Sequence, residues 1–72
     1  MSESLKHPEP GSTWQHRNGQ LYAVLCIANE FDEPRYPKTV VYQGQNGKIW
    51  ARRFDDWHRS MTLALPASVS HV

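Results

Sequence analysis

The stretch "VVYQGQNGKIWARRFDDW", residues 40–57, decides how this chain is read. β-branched and aromatic residues lead into Asn46-Gly47, and Ile49 and Trp50 follow it. Asn-Gly between two such runs signals a hairpin, because a type I′ turn needs positive φ at both central positions and these two residues tolerate it best. Asn18-Gly19 repeats the signal between "TWQHR" and "QLYAVLCIAN". Two hairpins follow, one joining residues 13–17 to 20–29, the other joining 38–45 to 48–53. Between them "EFDEPRYPK" carries two prolines, which supply no ladder N–H, and reads as an irregular loop. Phe54, Trp57 and Met61 stand at helical spacing and predict one helical turn. "TLAL" predicts a last short strand.

Two-residue turns would fix the register and hence the faces. In the first hairpin His16 would oppose Leu21 and Trp14 would oppose Ala23. Trp14, His16, Leu21, Ala23, Leu25 and Ile27 would share one face, with Tyr22, Val24, Cys26 and Ala28 on the other. Both faces of this strand are apolar, whereas a sheet with one solvated face should alternate. A long bent strand shared by two halves of a small barrel resolves the conflict, and a dimer interface would do the same. In the second hairpin Gln43 would oppose Trp50 and Val41 would oppose Arg52. Val40, Tyr42, Ile49 and Ala51 then form core, and Val41, Gln43, Trp50 and Arg52 face away from it. The expected fold is all-β or mainly β: a small five-stranded SH3-like barrel with a short helical turn before its last strand. That analogy carries no function.

Seventy-two residues allow one domain. The segments 1–12 and 66–72 lack apolar periodicity and read as loose tails around a body at 13–65. So small a body favours a shallow groove or an oligomer interface over an enclosed active site. Eight Lys/Arg against seven Asp/Glu argue against a surface built mainly to neutralise phosphates. Cys26 has no disulfide partner, suits a reducing compartment, and reads as a small buried hydrophobe. The longest apolar run, "LYAVLCIA", falls far short of the ~20 residues that cross a bilayer. No signal peptide is visible. The reading is a cytoplasmic chain with no membrane partner.

The residues that could carry chemistry do not cluster. His7, His16, Cys26, His58 and His71 lack metal-ligand spacing, so no metal is expected, and no cofactor. Asp55 and Asp56 stand near His58, but at a helical turn Asp commonly caps the backbone. His16 reads as a hydrogen-bonded structural histidine. No catalytic residue is assigned, and the chain is read as non-enzymatic. An exposed Trp50 beside Arg52 is different, because these are the side chains that dominate binding hot spots. The candidate binding residues are Val41, Gln43, Trp50, Arg52 and Trp57. The competing reading folds the 29–39 loop, or the Trp57 turn, over Trp50 and ties Arg52 to Asp32 or Glu33.

Trp14-Gln15-His16, Asn18-Gly19, Tyr22-Ala23-Val24-Leu25, Val40-Val41-Tyr42 and Trp50-Ala51-Arg52-Arg53, with Trp57 after them, resemble the pattern of a short domain family of unknown function found in bacteria and phages. The likeness spans about residues 11–60. Arg53 stands where that family usually has proline, and Trp14 and Trp57 replace smaller aromatics. The resemblance implies a compact, mostly β domain of bacterial or phage origin and no known catalytic residue.

The function expected is a small binding module for a protein or a small ligand, as monomer or homodimer. The phage setting implied by the resemblance would make it an accessory or counter-defence protein. The alternative is single-stranded nucleic-acid binding, with Trp50, Trp57 and Tyr42 stacking bases and Arg17, Arg52, Arg53 and Arg59 meeting phosphates.

Overall fold

A computed structural model describes residues 6–31 and 34–67. Five strands are formed: β1 (Thr13–His16), β2 (Leu21–Ala28), β3 (Thr39–Gly44), β4 (Ile49–Arg53) and β5 (Met61–Leu65). A 3₁₀ turn, Phe54–Asp56, and a one-turn helix α1, Trp57–Ser60, precede β5. All pairings are antiparallel, in the order β4-β3-β2-β1-β5. The domain is mainly β, with the expected helical turn before the last strand. Its sheet is not closed, for β4 and β5 are the two edges.

The register differs from the expected one by a single residue in both hairpins. Trp14 pairs with Tyr22, not Ala23, and Trp50 pairs with Tyr42, not Gln43. The turns explain it. Gly19 N–H donates to His16 O and Gly47 N–H to Gly44 O, while His16 N–H reaches Gln20 O and Gly44 N–H reaches Lys48 O. Each loop therefore has three residues, a tight turn closed by a left-handed glycine. Gly19 has φ +94° and Gly47 +85°, but Asn18 and Asn46 are not at positive φ, as a type I′ turn would require. Each Asn Oδ1 instead accepts the N–H two residues on, at Gln20 or Lys48. Gln15 Nε2 and Gln43 Nε2 donate to the carbonyls of Gly19 and Gly47. Both three-residue loops carry the same signature, Gln-x-x-Asn-Gly, with the glutamine amide bonded to the turn glycine.

A one-residue slip moves every side chain to the opposite face. Trp14, Tyr22, Val24, Ile27, Val40 and Tyr42 belong to the core face, joined by Trp57, Met61 and Leu63. Ile49 and Ala51, expected in the core, are exposed. Cys26, expected to be buried, is exposed too. The cause lies within β2, where the register shifts between Val24 and Cys26. Leu25 is the extra residue of a bulge, and bulges bend a strand and change the phase of its alternation. Ile27 thereby turns inward and Cys26 outward. The expected bent strand is present, but its bend exposes the thiol.

The body begins earlier than residue 13. Pro8 and Ser12 are fully buried. Ser12 Oγ accepts from Trp14 Nε1 at 2.9 Å and donates to Glu9 O. Gly11 N–H donates to Val24 O, and Val24 N–H to Ser12 O. The His58 ring meets Lys6 O, and the His7 ring lies 5.2 Å from that of Phe54. Residues 6–12, expected as part of a loose tail, thus pack on β2 and the helical segment. Residues 1–5 and 68–72, also expected as tails, lie outside the described residues, as do Asp32 and Glu33.

A candidate binding face

The five proposed binding residues do not share a face. Val41 pairs with Ala51 and Gln43 with Ile49, on the side away from the core. Trp50 pairs with Tyr42 and Arg52 with Val40, on the core side. Trp57 is completely buried and leaves the candidate site. Its ring meets Tyr42 at 5.0 Å and Trp14 at 5.5 Å, both edge-on, so it is the hub of the core. Trp50, by contrast, is 48% exposed. The described residues of the 29–38 loop gather with Arg53, Phe54 and Asp55 at the other end of β4. They do not cover Trp50.

A run of aromatic rings replaces the expected patch. His16, Tyr22 and Tyr42 follow one another edge to face, at centroid distances of 6.4 and 5.3 Å. Tyr42 then has Trp50 as its cross-strand neighbour. His16 is held in place because its Nδ1 accepts the Asn18 N–H at 3.0 Å, the structural role expected of it. The Tyr22 ring rests against Gly44, its partner across the strands. A Cβ there would lie 3.1 Å from Tyr22 Cε1 and 3.3 Å from Asn46 Oδ1. Gly44 is therefore a close-approach glycine. Between the rings lies a cavity of about 310 Å³ lined by Gln20, Tyr22, Gly44, Gln45, Asn46 and Trp50. It offers apolar ring surface and carboxamides without a formal charge, a combination suited to a neutral, polar partner such as a peptide backbone.

The charges of β4 and the helical segment engage one another. Arg52 is half-buried, with 23% of its side chain exposed, and its Nε lies 3.4 Å from Asp56 Oδ2. Asp56 also holds Arg59 at 3.2 Å, and Asp55 holds Arg53 through two bonds of 3.1 and 3.2 Å. Neither aspartate caps the helical segment through its side chain, contrary to expectation. The Arg53 guanidinium instead holds the exposed Asp55 carboxyl below its ordinary range. Buried Arg52 Nη1 and Trp57 Nε1 have no hydrogen-bond acceptor. Burial raises the Tyr42 phenol above its ordinary value; Arg52 opposes the rise and Tyr22 adds to it. In Arg52→Ala, Tyr42 should ionise at still higher pH, read as a later onset of tyrosinate absorbance. An unchanged titration would show that Arg52 does not act on the ring.

A family model described as Protein of unknown function (DUF1653) matches residues 12–64. The chain belongs to this family. The match begins at buried Ser12 and contains every strand residue of the aromatic run. The short domain family expected from the motifs is thus the one found. No curated protein and no solved structure matches the chain.

Sequence reasoning placed Tyr42 in the core, where it packs on Trp57, named it as a stacking ring only in the nucleic-acid alternative, and gave Tyr22 no binding role. The missed signal was the glutamine three residues before each Asn-Gly, which bonds the turn glycine in both three-residue loops; the register of those loops puts Tyr22, Tyr42 and Trp50 on one side.

Proposed function

We propose that this DUF1653 domain is a small non-enzymatic binding module that engages a protein segment or a small ligand through Tyr22, Tyr42 and Trp50. One observation carries this reading: Trp50, alone among the three tryptophans, is left exposed, at the end of an ordered run of rings. Aromatic residues supply large contact area at little entropic cost, and Trp and Tyr lead binding hot spots. The strand order and the helical turn before β5 support reading the sheet as a partly rolled SH3-like barrel, in which aromatic-lined grooves bind extended peptides. A cytoplasmic accessory or counter-defence role fits the phage setting that the resemblance implies. No helix among the described residues is long and apolar enough to cross a membrane.

Single-stranded nucleic acid is the weaker reading. Trp57 is buried and cannot stack a base. Of the four arginines that would meet phosphate, Arg52, Arg53 and Arg59 already have carboxylate partners.

The test is recovery of a partner from bacterial lysate by the wild-type domain and by Trp50→Ala, each with and without nuclease. Trp50→Ala should keep its fold and lose partner recovery, since removing a hot spot costs about 2 kcal/mol or more. Equal recovery by both proteins would refute the aromatic face. Recovery abolished by nuclease would transfer the assignment to nucleic acid.

A further inference from the structure

The face of the sheet away from the core has no cover among the described residues. Leu21, Leu25, Cys26, Ile49 and Ala51 are exposed there, around a half-buried Val41. Leu25 and Cys26 reach it through the β2 bulge, and Ile49 is 60% exposed. An antiparallel sheet with one solvated face should show polar residues on it. This one shows aliphatic residues on its three adjoining strands β2, β3 and β4.

We infer that this outer face is the contact by which two copies of the chain pair about a two-fold axis. A two-fold contact sets each patch against its own copy, so a patch bearing net charge would repel itself. Here the outer positions of the five strands carry a single charged residue, Arg53, at one corner, and Asp55 holds it. Three of the polar side chains there are engaged, Thr39 by donating to Pro37 O and the two glutamines at the turns. Gln15 and Gln43 donate to the turn carbonyls of Gly19 and Gly47, which lowers the cost of drying them.

Shape agrees with charge. A shallow groove of about 310 Å³ adjoins the projecting Ile49, whose cross-strand partner is Gln43; Thr13, Leu21, Ala23 and Gln43 line it, and it shares Tyr22, Gly44 and Gln45, but not Trp50, with the aromatic cavity. A two-fold rotation can set Ile49 of one copy against the groove of the other. A face confined to short strands of a 72-residue chain is small beside the ~800 Å² per partner of a standard stable interface, so the pairing is weak and reversible. It leaves Trp50 open in both copies, since Trp50 lies on the opposite side of the sheet.

Sedimentation velocity across a protein concentration series tests this, together with the rate at which a thiol reagent labels Cys26. The wild type should pass from monomer to dimer. Cys26 labelling should slow by about threefold or more once most chains are paired, as mass action requires. Ile49→Lys should remain monomeric at every concentration with unslowed labelling, whereas Phe31→Lys, the same charge on the exposed 29–38 loop, should dimerise as the wild type does. The labelling series on the wild type needs no variant, so it decides the matter even if Ile49→Lys folds poorly. A wild type that stays monomeric up to about 1 mM, or that dimerises with unslowed Cys26 labelling, overturns the inference. So does a dimer that survives Ile49→Lys. Loss of partner recovery by Trp50→Ala with dimerisation intact would separate this face from the aromatic one.

Discussion

Trp57→Ala should leave the domain unfolded at room temperature. The side chain is wholly buried and touches both Trp14 and Tyr42 edge-on, so its removal opens the centre of a very small core. Truncating a buried Trp or Phe costs about 3–5 kcal/mol, and a core in a domain below ~70–80 residues rarely supplies more than that. The loss equals the available stability. Trp57→Phe should be far milder. It keeps an aromatic ring at the junction and deletes an N–H that has no acceptor, which by itself costs about 1–3 kcal/mol while it stays buried. Near-ultraviolet circular dichroism and a urea titration would follow both variants. A cooperative transition in Trp57→Ala with a midpoint near that of the wild type would refute its place at the hub. The contrast with Trp50 is sharp. Trp50→Ala removes a half-exposed side chain at a sheet edge, so its effect should fall on binding.

The strands, the helical turn and the domain family were legible because each rests on a local signal. Two Asn-Gly pairs bounded the hairpins, and Phe54, Trp57 and Met61 at helical spacing marked the turn before the last strand. The faces were not legible, because a side chain's face depends on counting residues through the loop. Adding one residue to each loop exchanged Ile49 and Ala51 for Trp50 and Arg52 on the core side. The β2 bulge then changed the phase again at Leu25, and nothing in "LYAVLCIA" distinguishes a bulged strand from a straight one. Asp56 illustrates a third limit. Its place beside the helical turn suggested a cap, but its carboxylate pairs with Arg52 and Arg59, four residues before it and three after, so a local ion pair prevailed over a cap. The aromatic run was thus visible as composition and hidden as geometry.

The double variant Gly19→Val/Gly47→Val tests the part on which the faces depend. Both glycines hold φ near +90°, and an added Cβ would meet nothing within 4 Å at either position. Crowding is therefore not the cause of any loss; backbone strain is. A β-branched residue at positive φ costs about 1–2 kcal/mol or more. The two sites lie in separate turns and an added Cβ at either meets no atom within 4 Å, so their effects should add, to about 2–4 kcal/mol. Asparagine accepts the left-handed region more readily than valine does. Gly19→Asn/Gly47→Asn should therefore regain a good part of the loss at the same positions. Urea midpoints of the single and double variants would show both the additivity and the rescue. If valine at both sites leaves the midpoint unchanged, the left-handed glycines do not close these loops. The three-residue turns would then fall, and with them the register that sets Trp50 beside Tyr42 and turns Ile49 outward.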